Sequence, residues 1–257
     1  MSDLQLVRVR PEGPWTRLRA IVAWAEGSVD VWGVSLAAST HEVAAWRALL
    51  SPSELARAAR FVSQRDRDRF AVAHGVLRQV ITCYCAVPPR ELQFTQLPGG
   101  KPALEPITAA SDIRFSLSHS GAGALIAIGR GVEVGIDLEH ERGDIDVAGL
   151  AQRFFHADER HAIGKAPRPV HAFFRQWVAK EALLKAHGTG LVLPLDAFTI
   201  DLSTEPPVVA AAAVPELARG DWRIRMLPVS APWHAAVCAR SGARVRMLAT
   251  ALVGAVS

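Results

Sequence analysis

Two carboxylates on one short apolar segment are the first residues that suggest chemistry. Asp137 and Glu139 alternate with Ile136 and Leu138, a pattern typical of a β-strand. Side chains at positions i and i+2 of a strand share a face about 7 Å apart, so these two repel each other unless water or a cation neutralises them. One interpretation is a solvated strand end. The other is a site for Mg²⁺, which prefers oxygen ligands.

A predicted helix over residues 169–187, ended by Gly188, carries a third carboxylate. Trp177, Glu181 and Lys185 follow one another at intervals of four residues and therefore share one helical face. An ordinary ion pair between Glu181 and Lys185 would explain this spacing. Alternatively, Glu181 is a further metal ligand, and Lys185 lies one turn away to neutralise a phosphate bound at the metal.

A polar strand end at Ser118, His119 and Ser120 precedes a glycine-rich turn whose N–H groups are open to an anion. Neighbours on a strand point apart, so Ser118 and His119 are unsuited to a hydrolase dyad, and the chain has no G-x-S-x-G motif. It also has no P-loop and no complete dinucleotide fingerprint. His156 and His161 are five residues apart and miss the spacing of helical zinc motifs.

Five arginines between residues 57 and 69 form a basic stretch interleaved with Asp66 and Asp68. Most of them are expected to lie on a solvated helix face, while one or two bind a phosphate. A nucleic-acid-binding module is disfavoured because the chain has no series of aromatic residues for base stacking, with tyrosine used once, at Tyr84.

The composition describes a globular chain. Its 257 residues carry 29 basic and 25 acidic side chains, for a net charge of +4, and half of the residues are hydrophobic. No apolar run approaches the roughly 18 residues of a membrane span. The first residues lack a secretory pattern, and the three cysteines include no C-x-x-C pair. We therefore expect a cytoplasmic protein without a disulfide framework.

Hydrophobic periodicity predicts an α+β or α/β fold with mixed sheets. Helices are expected over residues 67–85 and 169–187, and a further helix is expected to start at Ser51-Pro52. The predicted strands cover residues 29–36, 113–117, 124–128, 132–138, 222–227 and 234–239. A turn-rich stretch at 98–102 separates two comparable halves.

A faint internal repeat links the two halves. Residues 69–77 laid on residues 175–183 match at Arg, Val, Ala and Leu, and a similar strand precedes each segment by about 35 residues. Four matches in nine positions are also compatible with chance in a chain rich in Ala and Arg. A duplicated α/β unit and a coincidence therefore both remain open at this point.

The order and spacing of these motifs resemble the 4′-phosphopantetheinyl transferases, specifically the surfactin type with a double-length chain. The resemblance spans roughly residues 50 to 200, and its motifs are Gly100-Lys101-Pro102, Ser116–Ser120, Gly135–Glu139, Arg153-Phe154-Phe155 and Trp177–Lys185. It implies an α+β pseudo-dimer of two similar α/β halves, each a small mixed or antiparallel sheet packed against helices. The N-terminal half, residues 1–100, would contact the adenosine and phosphate of coenzyme A. The C-terminal half, residues 101–257, would carry the metal and catalytic residues, with the active site between the halves of a monomer.

The resemblance also assigns roles to individual residues. The implied magnesium carboxylates are Asp137, Glu139 and Glu181. The implied catalytic residues are Glu181, Lys185 and Asp137, with Glu181 or a metal-held water that it orients as the base. The implied coenzyme A contacts are Arg57, Arg69, Lys101, Ser118, His119 near the 3′-phosphate, and Lys185 at the pyrophosphate. Glu159 corresponds to a further acidic position of the family's active site. Glu54 departs from the pattern, because some members carry a basic phosphate ligand there; Arg57 or Arg60 would compensate.

The implied reaction is a magnesium-dependent transfer of phosphopantetheine from coenzyme A to a serine of an apo acyl or peptidyl carrier protein, with release of 3′,5′-ADP. Such carriers belong to fatty-acid, polyketide or nonribosomal-peptide biosynthesis. No nucleic acid or membrane partner is expected, and the carrier is expected to dock near Phe154 and Phe155. The alternatives are another Mg²⁺-dependent enzyme, such as a phosphoester hydrolase, and a non-catalytic nucleotide-binding module.

Overall fold

A computed structural model of the protein describes residues 4, 6–13, 15, 18, 25–105, 112–219 and 221–248. Within these ranges seven helices and eleven strands are formed. The helices are α1 (Thr40–Arg47), α2 (Pro52–Ala58), α3 (Gln64–Thr82), α4 (Val147–Phe154), α5 (Ala157–Lys165), α6 (Pro169–His187) and α7 (Pro215–Ala218). The strands are β1 (Ser28–Ser35), β2 (Phe94–Gln96), β3 (Pro102–Leu104), β4 (Ile113–Ser120), β5 (Gly123–Arg130), β6 (Val134–His140), β7 (Phe198–Asp201), β8 (Val208–Ala212), β9 (Trp222–Met226), β10 (Trp233–Arg240) and β11 (Arg244–Met247).

The predicted elements are confirmed, with shifts of a few residues at their ends. Helix α6 begins at Pro169 and stops at Gly188, which takes the left-handed conformation at φ 90° that favours glycine. Helix α2 starts after Ser51, whose hydroxyl accepts a hydrogen bond from the Glu54 N–H while the Glu54 carboxylate accepts one from the Ser51 N–H. This capping box explains why a seven-residue helix is stable at that point.

Two sheets form the centre of the fold. The first has the strand order β11-β1-β5-β4, and the second has the order β6-β10-β9. All neighbours are antiparallel except β1 and β11, which run parallel. The pairs β2–β3 and β7–β8 form two small additional sheets. No helix in the described ranges is long and apolar enough to span a bilayer.

The pairing of the strands places the boundary between the two halves after β5, later in the chain than the expected boundary at residue 100. Strands β4 and β5 follow residue 100 in the chain, yet they pair with each other and with β1 in the first sheet. The expected division between residues 100 and 101 therefore falls inside the first half of the fold. That half extends through β5, and the second half begins at β6, except that β11 returns to the first sheet.

The order of elements confirms the duplication. Helices α1, α2 and α3 are repeated as α4, α5 and α6, and the two longest helices, α3 and α6, each have 19 residues and start 105 positions apart at Gln64 and Pro169. Strand register agrees with this repeat. Trp32 and Asp137 are also 105 positions apart, and their partners Ile126 and Ala236 are each the fourth residue of an eight-residue strand. The fold is thus an α+β pseudo-dimer.

The hydrophobic cores stack in layers. One cluster lies between α3 and the first sheet and contains Trp32, Val76 and Ile126. A second lies between α6 and the second sheet. A third contains Val31, Leu125, Ile136 and Val237 and packs the two sheets against each other. The strands β1, β5, β6 and β10 therefore bury both faces, one against helices and one against the other sheet.

Candidate active site

Gly135 allows helix α6 to lie directly on strand β6. A Cβ atom at this position would collide with the backbone of Ala182 and Ala186 in α6, so a residue without a side chain is needed there. The close approach brings Lys185 of α6 onto Asp137, two residues further along β6, at 2.6 Å between Nζ and Oδ1. The glycine and the aspartate of the Gly-Ile-Asp sequence thus act together.

Asp137 is held from both halves, by strand β4 of the first and helix α6 of the second. Its Oδ1 accepts hydrogen bonds from the Ser118 hydroxyl on β4 at 2.7 Å and from Lys185 Nζ. Its Oδ2 is buried and has no hydrogen-bond partner among the described residues. A buried, unpartnered carboxylate oxygen is costly. The second oxygen of Asp137 is therefore available to a cation.

Glu139 and Glu181 extend the negative charge around Asp137. The Ser120 hydroxyl donates to Glu139 Oε2 at 2.8 Å. Burial and the charge of Asp137 raise the pKa of Glu139 above its usual range, and burial, Asp137 and Glu139 together raise the pKa of Glu181. Glu139 and Glu181 are harder to ionise beside the charge of Asp137, so the cluster favours an added positive charge.

These three carboxylates fit a hard divalent cation in their chemistry, since they offer oxygen ligands alone and one buried oxygen without a partner. In the described part of the chain, however, the ligand atoms gathered within 4.8 Å of one another belong to Glu141, His171 and His234 and not to this cluster. The assignment of Asp137, Glu139 and Glu181 to Mg²⁺ stays a prediction.

A cleft of about 900 Å³ lies beside the acidic cluster. Its wall combines residues of α2, α3, β4 and α6, so both halves contribute to it. The basic and histidine side chains that line it are Arg57, Arg60, His74, Lys101, His119 and Lys185. A cleft of this charge suits a ligand that carries several phosphates.

Ser118 and His119 point to different surfaces, as expected for neighbours on a strand. Ser118 is buried against Asp137, whereas His119 lines the cleft. The ring of His119 is open to water in the cleft, yet the surrounding protein and the charges of His74 and Lys185 lower its pKa to about 4. His119 is therefore neutral at pH 7 until an anion lies beside it.

Arg69 and Lys101 have partners within the protein. Arg69 does not line the cleft, and its guanidinium lies 4.0 Å from Asp66. Lys101 lines the cleft, but its Nζ donates to Glu133 at 2.6 Å and to the carbonyls of Val134 and Ala186. All three of its N–H bonds are occupied. A direct contact from Lys101 to coenzyme A, which stays a prediction, would require one of them to be exchanged.

Glu54 has a structural role besides its place on the cleft wall. Arg78 donates to Glu54 through Nε at 3.0 Å and Nη2 at 2.6 Å, and His74 Nδ1 lies 3.2 Å from the other oxygen. Although burial opposes ionisation, these hydrogen bonds lower the pKa of Glu54 to about 2. Glu54 thus fixes α2 to α3 and leaves Arg57 and Arg60 as the arginines of the cleft.

Glu159 lies in the interior of the second half and not at the acidic cluster. Its carboxylate pairs with the fully buried Lys180 at 2.6 Å and accepts hydrogen bonds from Gln176 and the Ile200 N–H. Lys180 also donates to the carbonyls of Leu195 and Phe198. The two lysines of α6 therefore have different roles. Lys180 is part of the buried core, and Lys185 is part of the candidate active site.

Phe154 and Phe155 differ in exposure. Phe155 is buried against Phe173 and Trp177, while Phe154 stays partly exposed, with Arg153 over its ring. Of this pair, Phe154 alone presents a surface, and the expected docking of a carrier protein near it stays a prediction.

Two residues join the site without having been assigned a role from the sequence. Ser120 donates to Glu139, and its place in the motif Ser116–Ser120, at alternate positions with Ser118, was the available signal. His74 lines the cleft and contacts Glu54. No motif marks His74, because the contact depends on how α3 packs against α2.

The duplicated fold places an acidic cluster at the edge of a basic cleft, an arrangement that suits a phosphorylated ligand. Residues 133–238 match the family model described as the 4′-phosphopantetheinyl transferase superfamily, and residues 35–129 match the model for the N-terminal part of a 4′-phosphopantetheinyl transferase. The two matches meet between β5 and β6, where the sheets divide.

Individual relatives agree with the family models. The 4′-phosphopantetheinyl transferase HetI of Nostoc sp. is 37% identical, over 72% of this chain and 78% of its own length. The 4′-phosphopantetheinyl transferase Sfp of Bacillus subtilis is 27% identical, over 66% of this chain and 74% of its own length. A solved structure, the holo-[acyl-carrier-protein] synthase of Thermotoga maritima, covers 45% of this chain and 65% of its own at 19% identity with a TM-score of 0.34. The chain belongs to the 4′-phosphopantetheinyl transferase superfamily.

Proposed function

We propose that this enzyme transfers the 4′-phosphopantetheine group of coenzyme A to a serine hydroxyl of an apo acyl or peptidyl carrier protein and releases 3′,5′-ADP. The observation that supports it most is the position of Lys185, which lines the basic cleft and also lies 2.6 Å from Asp137. A pyrophosphate seated on Lys185 would thus lie in the cleft and against the acidic cluster at once.

Coenzyme A would bind with its phosphates along the basic wall of the cleft. Arg57 and Arg60 lie on the side formed by the first half, and His119 projects from β4. We assign His119 to the 3′-phosphate, because an anion beside the ring would restore its protonated form. Arg69 acts at longer range, since its charge already reaches His119. Lys185 would hold the pyrophosphate with a charge-assisted hydrogen bond.

Asp137, Glu139 and Glu181 would hold Mg²⁺, and the bound ion would neutralise charge on the pyrophosphate during transfer. Ser118 and Ser120 orient two of these carboxylates through hydrogen bonds of 2.7 and 2.8 Å. Such supporting hydrogen bonds fix the orientation of metal ligands.

The transfer exchanges one phosphorus–oxygen bond for another. The serine oxygen of the carrier attacks the β-phosphorus of coenzyme A, and the bond from that phosphorus to the oxygen of 3′,5′-ADP breaks. Glu181 accepts the serine proton, either directly or through a metal-held water that it orients. Lys185 stabilises the negative charge on the departing phosphate.

The carrier protein would approach over the open side of the site near Phe154. The sequence pI of about 9.3 is complementary to an acidic carrier domain, and opposite charge accelerates association. We expect the enzyme to act as a monomer, because both halves of one chain already contribute to the cleft.

Intact-protein mass spectrometry tests the proposal. An apo carrier protein is incubated with the enzyme, coenzyme A and Mg²⁺, and 3′,5′-ADP is quantified in the same samples by chromatography. The proposal predicts that the carrier gains the mass of one phosphopantetheine for each 3′,5′-ADP released, and that a chelator stops both. Release of 3′,5′-ADP while the carrier keeps its mass would instead identify a hydrolase.

A further inference from the structure

A second group of side chains of the types that bind metals lies near the end of strand β6, away from the acidic cluster. Glu141 directly follows β6, His171 is in the first turn of α6, and His234 is the second residue of β10. One ligand atom of each residue lies within 4.8 Å of the others. The cluster therefore joins three elements of the second half that are far apart in the sequence.

The distances in the cluster suit coordination of one ion. His234 Nε2 lies 2.7 Å from Glu141 Oε2, and His171 Nδ1 lies 3.6 Å from the same oxygen. Two ligands about 2.0 Å from a tetrahedral zinc ion are about 3.3 Å apart. The observed separations bracket this value, so small side-chain rotations are enough to admit the ion.

The chemistry of the three side chains suits a zinc ion. The imidazole nitrogens of His171 and His234 and the carboxylate oxygen of Glu141 are all zinc donors. Two neutral imidazoles and one carboxylate are the ligand set of many zinc sites with an open fourth position.

The surroundings hold the ligands in place. His234 is 5% exposed in its side chain, and its ring stacks on Phe174 with 5.6 Å between centroids. The Glu141 N–H donates to the Pro232 carbonyl at 2.7 Å. Arg168 lies 3.8 Å from the other Glu141 oxygen, Oε1, and is largely exposed, so it is free to turn away from an incoming cation.

We propose that Glu141, His171 and His234 form a binding site for Zn²⁺, separate from the acidic cluster, with an open coordination position facing solvent. Imidazole ligands favour zinc over Mg²⁺, whereas the oxygen-only cluster favours Mg²⁺. Bound zinc would tie the start of α6 to β6 and β10, the elements on which Asp137 and Glu181 depend. It would thereby stabilise the frame of the active site.

Titration of the chelator-treated full-length protein with Zn²⁺ alone tests this proposal. Excess Mg²⁺ is present throughout, and a competing chromogenic chelator reports free zinc. We expect one zinc per chain, and at least about tenfold weaker binding in His171→Gln and in Glu141→Gln, since even indirect supports of a metal site contribute that much. His161→Gln, which alters an exposed histidine of α5, and Asp137→Ala serve as controls with unchanged affinity.

The visible spectrum of the Co²⁺-substituted protein provides a second measurement, and we expect it to change in both cluster variants. Three results would overturn the proposal. The first is that the wild type binds no zinc at one equivalent. The second is that His171→Gln, Glu141→Gln and the wild type bind zinc with equal affinity. The third is that Asp137→Ala loses zinc while the two cluster variants retain it.

Discussion

The two halves of the molecule place opposite residue types at the same positions. Applying the 105-residue offset, the site residues of the second half match residues of the hydrophobic core in the first half. Asp137, Glu139, Glu181 and Lys185 correspond to Trp32, Val34, Val76 and Val80, each at most 1% exposed. One scaffold thus uses the contact of strand and long helix for packing in one copy and for chemistry in the other.

The neighbours of that contact explain the difference. In the second half, β4 of the first half lies beside β6, and Ser118 and Ser120 reach the carboxylates from it. The basic cleft opens at the same edge. In the first half the equivalent space is closed, and Trp32 donates to Tyr84 at 2.8 Å. The first half therefore supplies stability and the cleft wall, and the second supplies the reacting groups.

Asp137→Ala should have the largest effect. We expect the transfer rate to fall at least about 1,000-fold, because charge neutralisation at the pyrophosphate is worth several kcal/mol. Trp32→Phe, at the matching position of the first half, should keep the rate within about twofold. Mass spectrometry of the carrier under single-turnover conditions measures both. A residual rate above about a tenth in Asp137→Ala would remove this carboxylate from the chemistry.

Trp32→Ala should show the reverse pattern. We expect the free energy of unfolding to fall by about 3 to 5 kcal/mol, because the substitution leaves a cavity in a fully buried core. The transfer rate per folded molecule should stay unchanged. Urea denaturation and the transfer assay together provide the test, and a stable but inactive variant would contradict the division of roles.

Lys185→Ala should lower the transfer rate by about 100-fold, since it removes one charged donor from the developing phosphate charge. The same substitution should weaken coenzyme A binding less than it lowers the rate. Lys165→Ala, which removes a lysine of α5, is the matched control. Initial rates over a range of coenzyme A concentrations separate the two effects, and an effect on KM alone would assign Lys185 to binding only.

Glu54→Gln tests the carboxylates of the first half. The pKa of Glu54 is lowered to about 2 from 4.5, so its stabilising contribution is complete above pH 4.5 and is lost as the pH falls towards 2. We expect Glu54→Gln to lose about 2 to 3 kcal/mol at pH 7, and the difference from the wild type to shrink at pH 3.

Urea denaturation at pH 7, 5 and 3 measures the Glu54 effect, with Glu91→Gln, at an exposed carboxylate, as the control. A difference that is the same at all three values would show that the Glu54–Arg78 pair does not carry it. The pKa of Glu54 is lowered and that of Glu181 is raised. This contrast distinguishes Glu54, which stabilises the fold when ionised, from Glu181, which serves the active site at a cost in stability.

Arg57→Ala should have the smallest effect, a rise of about tenfold in KM for coenzyme A, as expected for the loss of one phosphate contact. Arg65→Ala removes an arginine that does not line the cleft and should leave KM unchanged. Rates at two salt concentrations add a check, because a phosphate contact makes binding more sensitive to salt. Equal KM values in both variants would place the adenosine phosphates elsewhere.

The sequence predicted the local parts of this structure well. Helix α6 with its Gly188 cap and the strand around Gly135 follow from periodicity and from glycine geometry, which depend on near neighbours. The boundary at residue 100 was misplaced because the pairing of β1 with β5 joins residues about 100 positions apart. Local patterns carry no information on such pairings.

The same limit applies to individual contacts. The three hydrogen bonds of Lys101 and the pairing of Glu159 with Lys180 depend on tertiary packing. The zinc site proposed for His171 and His234 has no motif, because its ligands come from separate elements. Site residues that belong to a motif with regular spacing were found from the sequence. Residues that are distant in sequence and come together only through tertiary packing were not.

The most direct test of the central claim is the rate of transfer by Glu181→Gln at saturating coenzyme A, Mg²⁺ and carrier protein. The substitution keeps the size of the side chain and removes its charge. Our account predicts a rate at least about 100-fold lower, with unchanged or greater stability, because the variant loses a base and relieves carboxylate repulsion. A rate within about threefold of the wild type would contradict the account and move the reacting groups away from the β6–α6 contact.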